Sequence, residues 1–90
     1  MNNFNQMVSA VNQGGGGNDV RITYVNVVDS QLLNASDFQA TPSAVNGAGI
    51  TPISANVIDV TFAADVSSDT NIVYSGNAVG FITPQTIAQT

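Results

Sequence analysis

The chain contains no cysteine, histidine, lysine, glutamate or tryptophan among its 90 residues. Without cysteine there is no disulfide framework, and without cysteine or histidine a zinc site has no soft ligands. Ser-His-Asp and Cys-His nucleophilic catalysis are excluded within one chain, and so is chemistry that needs a lysine amine. We therefore expect a protein that is not an enzyme.

Charge is also scarce. Charged residues make up 8% of the chain, against about 25% in an ordinary soluble domain. Arg21 is the single cation and all six acids are Asp, so the formal net charge is −5. Nucleic acids and anionic membranes are bound through clustered Lys and Arg, so we expect neither as a partner. A sheet without lysine also lacks the usual protection of its edge strands, so either the edges are short and covered or a neighbouring chain covers them.

A long apolar run is missing as well. No segment approaches the roughly 20 apolar residues that cross a bilayer, and Met1–Gln13 has neither the basic nor the apolar region of a secretion signal. If Met1 is the true start, the protein is expected to assemble in the cytoplasm or to leave the cell by a route other than the general secretory one. The β-patterned body of about 65 residues is a size at which one core gives marginal stability. Unusually good packing, a hard cation or association with other chains could supply the missing stability, and we favour association.

The stretch Gly14–Gly17 divides the chain into its expected parts. Residues 1–13 form an N-terminal arm, 14–17 a glycine linker, 18–84 a β-domain and 85–90 a polar C-terminal tail. Four consecutive glycines have wide backbone freedom and no side chain to pack, so Gly14, Gly15, Gly16 and Gly17 are predicted to be a hinge. They are not a phosphate loop, because no Lys and Ser or Thr follow and no predicted strand precedes them.

The arm carries apolar residues at the spacing of one helix face, namely Phe4, Met7, Val8 and Val11. We predict a short helix with Asn2 or Asn3 as its N-cap. Because a helix of about ten residues is marginal alone in water, its apolar face should pack against something. The sequence leaves open a neighbouring subunit, the chain's own body, or disorder in the free protein.

The remainder alternates in the manner of short strands. Strands are predicted at Val20–Asp29, Phe38–Thr41 and Ile53–Ala64, and the last should bury Ile58, Val60 and Phe62. Asn46-Gly47 predicts a hairpin turn, and Gly76-Asn77 predicts another between Asn71–Ser75 and Ala78–Thr83. The predicted fold is mainly β: a small antiparallel β-sandwich or barrel of five to six short strands, with an N-terminal arm containing a short helix.

Only one group of side chains suggests a metal. Oxygen ligands of the kind that calcium uses recur at alternate positions, Asp65, Ser67, Asp69 and Asn71. The motif lacks the glycine and glutamate of a helix-loop-helix calcium site, since Thr70 and Gly76 stand there. A solvated turn is the simpler interpretation, and calcium is kept as a weak candidate. Asp59 is expected on the solvent face or beside Arg21.

These observations favour a structural subunit of a symmetric assembly. The most specific hypothesis is a small virion protein of the bacteriophage type, a capsid decoration (cement) or minor capsid protein. Its arm would dock on a neighbouring subunit, and its partners would be copies of itself and a major shell protein. One alternative is a cell-surface filament subunit joined by strand complementation. Another is a small carbohydrate-binding module, which would need exposed aromatic rings.

Overall fold

The strands of this protein are short, and they follow one another with few intervening residues. The computed structural model describes residues 4–90, which are mainly β as predicted, with 49% of residues in strands and 7% in helical turns. Two 3₁₀ helices, Ser30–Leu32 and Ala35–Asp37, lie between the second and third strands. Neither is long or apolar enough to cross a membrane, and the described residues contain no other helix. The strands are β1 (Met7–Asn12), β2 (Asp19–Tyr24), β3 (Phe38–Thr41), β4 (Val45–Ser54), β5 (Val57–Phe62), β6 (Asn71–Tyr74) and β7 (Gln85–Ala88).

The seven strands in the described part form one antiparallel sheet in the order β1-β2-β5-β4-β3-β6-β7. Its two end strands approach each other, since Ala10 forms a parallel bridge with Gln89. The sheet is therefore a nearly closed barrel, with more strands than the five or six predicted. The chain crosses over twice, from β2 to β3 and from β5 to β6.

The core fills the inside of this barrel. Side chains alternate between inside and outside along β2 and β5 with the period of two that strands impose. Ile58, Val60 and Phe62 are buried as predicted. The loops add Leu33, Val66 and Phe81 to the core. The remaining buried apolar residues come from the strands: Met7, Ala10, Val20, Ile22, Tyr24, Phe38, Ala40, Ile72 and Tyr74.

The prediction of a helix in the arm is wrong for the described residues. Residues Met7–Asn12 form β1, which pairs with β2. Met7 and Ala10 are three residues apart, and in a regular strand they would point to opposite faces. They both point into the core because the register shifts between Met7 and Ser9. As a strand, this segment forms its backbone hydrogen bonds with β2. An isolated helix of the same length would be only marginally stable in water. The predicted N-cap at Asn2 or Asn3 lies outside the described residues.

The four glycines form the hairpin loop between β1 and β2. The amide of Gly17 donates to the carbonyl of Gly14 at 2.9 Å, and Gly14, Gly15 and Gly17 have positive φ angles. Glycine adopts such angles without the steric cost that other residues incur. The run was predicted to separate an arm from a domain. Both of its sides instead belong to one sheet.

Asn46-Gly47 does not form a turn. Both residues lie inside β4, and the β3–β4 connection uses Pro42, Ser43 and Ala44, with Ala44 at a φ of 64°. Gly47 is buried, and a Cβ there would collide with the carbonyl oxygen of Ala35. The glycine is thus required for close approach of two backbone segments.

The predicted hairpin at Gly76-Asn77 is also wrong. β6 pairs with β7, with Tyr74 opposite Gln85, so residues 75–84 form a loop. Residues Gln85–Ala88, predicted to belong to a polar tail, are therefore a strand. The loop frees Phe81 to enter the core, where its ring lies 5.5 Å from that of Tyr24 and 6.0 Å from that of Tyr74.

Two long predicted strands are shorter in the structure. β2 stops at Tyr24, so the change of phase at Val25 and Val27 marks the end of a strand. A turn at Ala55-Asn56 divides the predicted strand Ile53–Ala64 between β4 and β5. The amide of the Asn56 side chain donates to the carbonyl of Tyr24 at 2.9 Å and ties this turn to β2.

The antiparallel order gives the barrel two distinct ends. One end carries the glycine loop, the β3–β4 turn and the β5–β6 loop, and we call it the glycine end. The other carries residues 4–6, the β2–β3 loop, the β4–β5 turn and the β6–β7 loop. We call it the cleft end, because a surface cleft opens there.

Candidate functional site: an apolar cleft at one end of the barrel

The cleft is formed by the β2–β3 and β6–β7 loops and has a volume of about 510 Å³. Its apolar lining consists of Val27, Leu32, Val79 and Phe81. Phe81 belongs to the core and is fixed by its contacts with Tyr24 and Tyr74. The polar lining comes from Asn5, Asn26 and Asp29.

The rim of the cleft exposes apolar side chains to solvent. Val79 is 85% exposed, Val27 73% and Leu32 52%. Single exposed apolar residues are common on protein surfaces, but a contiguous group marks a site of interaction. Six of the eight large apolar side chains that are exposed among residues 4–90 lie at the cleft end: Phe4, Val25, Val27, Leu32, Ile53 and Val79.

Asn5 holds the base of the cleft together. It is 3% exposed, and its Oδ1 accepts from the amide of Asn26 at 2.9 Å. Its Nδ2 donates to the carbonyls of Asn26 and Val27, each at 3.2 Å. Its backbone amide donates to the carbonyl of Gly80, and its carbonyl accepts from the amide of Ile82 at 3.1 Å. One residue therefore joins both loops that line the cleft.

Among residues 4–90, the charged side chains that line the cleft and its neighbouring hollow are acidic. Asp29 lines the cleft, and its Oδ1 accepts from the amide of Gln31 at 3.0 Å, capping the first 3₁₀ helix. A neighbouring hollow of about 310 Å³ shares Leu32 and is lined by Asp37. No lysine or arginine balances these carboxylates here, since Arg21, the chain's one such residue, lies within β2.

Arg21 is occupied on the outer face of the barrel. Its Nε donates to Oδ1 of Asp59 at 2.8 Å, and its Nη2 donates to Oδ2 of the same residue at 3.1 Å. The two residues face each other across β2 and β5, so the predicted pairing of Asp59 with Arg21 is present. The hydrogen bond to Asp59 raises the pKa of Arg21, which is already cationic.

The predicted partner-binding residues of the arm are not brought together. Met7 is in the core, and Phe4 lies at the cleft end, 59% exposed. Val8 and Val11 are exposed on the outer face of β1, at 51% and 42%. The helical face that was to present all four therefore does not exist, although three of the four remain available at the surface.

The calcium candidates are engaged separately. Asp65 accepts from the amide and hydroxyl of Ser67 at 2.9 and 2.7 Å, and these bonds lower the pKa of Asp65, with the hydroxyl contributing most. Asp69 accepts from the amide and hydroxyl of Ser43 at 2.9 and 2.6 Å. Asn71 donates to the hydroxyl of Thr70. Among residues 4–90, no group of three or more acidic residues is placed to share an ion.

Reasoning from sequence missed the cleft entirely. Val27 and Val79 lie in loops, where no periodic pattern distinguishes a surface valine from a core one. Asn5 looked like one of many asparagines in a polar arm. The one available signal was the break of alternation after Tyr24, which places Val25 and Val27 outside the strand.

The fold and this site define a class rather than a family: a small, nearly closed antiparallel β-barrel with an acidic, apolar cleft at one end. A scan against protein-family models, a search of curated proteins and a search of solved structures each found no significant match.

Proposed function

We propose that this protein is a non-enzymatic structural subunit of a symmetric assembly, and specifically a small virion protein of the capsid decoration or minor capsid type. The observation that carries the proposal is the concentration of exposed apolar side chains at the cleft end. A surface of this kind is costly in water and is stabilised when another protein covers it. The chain has only six Asp and one Arg as charged residues. Because few charges would have to leave water, its surface is suited to being buried in an assembly.

Charge indicates what covers the cleft end. Asp29 and Asp37 lie at the cleft and at the adjoining hollow. A second copy docked cleft to cleft would bring these carboxylates together, and like charges at an interface oppose association. The occupant that we propose is therefore a different protein, a shell subunit that presents an apolar surface bordered by Lys or Arg. Copies of this chain would then contact one another elsewhere.

Two alternatives differ in their support. A filament subunit joined by strand complementation gains from the finding that residues Met7–Asn12 are a strand, since a strand can be donated to another sheet. A carbohydrate-binding module has less support. Five of the six aromatic residues are buried in the barrel, and Phe4 is the one that is exposed.

The experiment compares the unaltered chain with two matched double variants. Val27→Thr with Val79→Thr keeps the shape of the cleft rim but makes it polar, and Val8→Thr with Val11→Thr does the same on β1. Each chain is labelled and mixed with particles isolated from the source organism, and bound protein is measured by co-sedimentation. The cleft variant should lose about 2 kcal/mol, or about thirtyfold in affinity, whereas the β1 variant should bind like the unaltered chain.

The outcomes separate the proposals. Binding to virions that weakens only in the cleft variant supports a decoration protein. Binding to filaments supports the alternative. If the unaltered protein associates with no particle and no filament, the proposed function is wrong.

A further inference from the structure

We infer that β1 is an exchangeable strand: in the assembled state, β1 of one copy occupies the place between β2 and β7 of a second copy. This inference rests on the proposed function, because it assigns the surface through which copies of the chain join. Its partner differs from that of the cleft, although Asn5, which precedes β1, also lines the cleft. The loop that must open lies at the glycine end, opposite the cleft.

The bonding on the two sides of β1 is unequal. On one side β1 forms an antiparallel ladder with β2 along its whole length, with one register shift between Met7 and Ser9. On the other side, two backbone hydrogen bonds of 2.9 Å connect β1 to Thr90. The amide of Asn12 donates to the carbonyl of Thr90, and the amide of Thr90 donates to the carbonyl of Ala10. The other hydrogen bonds at this seam involve side chains. The backbone amide of Met7 donates to Oε1 of Gln85 at 2.7 Å, and Nδ2 of Asn12 donates to Oε1 of Gln89 at 3.2 Å. The hydroxyl of Thr90 donates to the carbonyl of Ala10 at 3.4 Å. β1 thus lies in a slot between β2 and β7 and forms no continuous ladder with β7.

The connection of β1 to the rest of the chain permits opening. A Cβ built on Gly14 or Gly15 would meet no described atom within 4 Å, so this part of the loop has open space around it. Gly17 is different, because it is buried against Asp65 and marks the fixed end of the loop. Glycines adopt extended angles as readily as the positive φ angles of the closed turn. Four extended residues span about 14 Å, which is enough to carry β1 away from its own barrel.

The slot itself indicates that its second occupant is another copy of this chain. A guest strand must present an amide to Gln85, a carboxamide to Gln89 and small or flexible apolar side chains to the core. It must also place a residue like Asn5 where two loops can bind it. β1 of a second copy meets every condition because its sequence is identical. The exchanged form then keeps the contacts of the closed form and loses only the entropy of association, which a symmetric assembly offsets by holding copies at high effective concentration.

The absence of cysteine allows a direct test. Ser9 faces Thr23 across β1 and β2 on the outer face of the barrel. Facing residues of such a ladder are about 4.5 to 5.5 Å apart, within the range of about 4.4 to 6.8 Å that a disulfide spans. A chain carrying Ser9→Cys is mixed with an isotope-labelled chain carrying Thr23→Cys. The mixture is incubated over a range of concentrations and then oxidised, and the linked species are weighed under denaturing, non-reducing conditions.

Random collisions between equal amounts of the two chains make the mixed disulfide equal to the sum of the two homodisulfides. Exchange brings the two different chains into register, so the mixed disulfide should exceed that sum, increasingly so as the concentration rises. If the mixed disulfide never exceeds the sum of the homodisulfides, β1 stays in its own barrel and the inference is wrong. This readout needs no particle, so it tests the inference even if the proposed function fails.

A second measurement locks the strand in place. The double variant Ser9→Cys with Thr23→Cys is oxidised in dilute solution, which fixes β1 to its own β2. Its incorporation into the assembly should fall at least about a hundredfold and return when reductant is added. Full incorporation of the locked chain would overturn the exchange and leave the proposed function intact. Failure of both the locked and the reduced chain to enter any particle or filament would overturn the proposed function, and the mixing experiment alone would then decide the exchange.

Discussion

The backbone amide of Met7 donates to Oε1 of Gln85 at 2.7 Å, joining the first strand of the barrel to the last. The same side chain donates through Nε2 to the carbonyl of Asn5 at 3.1 Å and to that of Ile82 at 2.9 Å. Gln85 is 9% exposed, so these bonds are shielded from water. A single carboxamide thus takes the place of strand pairing at the point where β1 and β7 meet.

Replacing Gln85 by Met should destabilise the protein by about 2 to 3 kcal/mol, because it leaves the amide of Met7 and the carbonyl of Ile82 without a partner. Urea denaturation followed by circular dichroism measures the change in the free energy of unfolding. Gln6→Met is the control, since Gln6 is exposed, and it should change stability by less than about 0.5 kcal/mol. Equal effects of the two substitutions would show that Gln85 does not close the barrel.

This seam explains how much of the fold the sequence could reveal. Alternation of apolar residues located the buried side chains of β2 and β5 correctly, because successive side chains of a strand point to opposite faces of the sheet. The β class followed from these segments. The closure did not, since it depends on polar residues such as Gln85 and Gln89, which resemble a solvated tail in sequence. The cleft was equally hidden, because its valines lie in loops where spacing carries no information.

Gly47 is a second position at which the sequence-based prediction was wrong. The glycine was predicted to form a turn, but its role in the structure is to allow a close backbone approach. A Cβ at position 47 would collide with the backbone of Ala35, whereas one at Gly49, in the same strand, meets no described atom within 4 Å. Gly47→Ala should therefore destabilise the protein by about 2 to 3 kcal/mol. Gly49→Ala should be neutral or raise stability by up to about 1 kcal/mol, since it reduces the freedom of the unfolded chain.

Thermal unfolding of the two alanine variants checks this pair. A lower midpoint for Gly47→Ala alone fits the close approach of β4 to the second 3₁₀ helix. If Gly47→Ala unfolds like the unaltered protein, that approach is looser than the structure has it. The dipeptide Asn-Gly is a strong turn signal on local grounds, and here a tertiary contact determines the glycine instead.

The two tyrosines of the core differ in one hydrogen bond. The hydroxyl of Tyr24 is buried and has no hydrogen-bond partner among residues 4–90, whereas that of Tyr74 accepts from the amide of Ala78 at 3.1 Å. Tyr24→Phe removes an unpaired polar atom and should raise the free energy of unfolding by about 1 kcal/mol. Tyr74→Phe leaves the Ala78 amide unpaired and should lower it by about 1 kcal/mol.

Both tyrosine variants keep the ring and its packing, so the difference in sign isolates the hydroxyl groups. Chemical denaturation at neutral pH provides the measurement. Destabilisation by Tyr24→Phe would mean that its hydroxyl has a partner in solution, for which a bound water is the natural explanation.

The same hydroxyl should make the protein less stable in alkali. Burial raises the pKa of Tyr24, and the nearby Tyr74 adds to this effect. In the unfolded chain the ordinary tyrosine pKa is about 10. Above that pH the unfolded state loses the proton while the folded state keeps it. The stabilisation is therefore complete below about pH 10 and is lost as the pH rises through the folded-state pKa. The slope should reach about −1.4 kcal/mol per pH unit.

Because the chain has no lysine, tyrosine is the side-chain type expected to titrate there, and urea denaturation at increasing pH should show a shallower decline for Tyr24→Phe. Identical declines for the two proteins would contradict the burial of this hydroxyl.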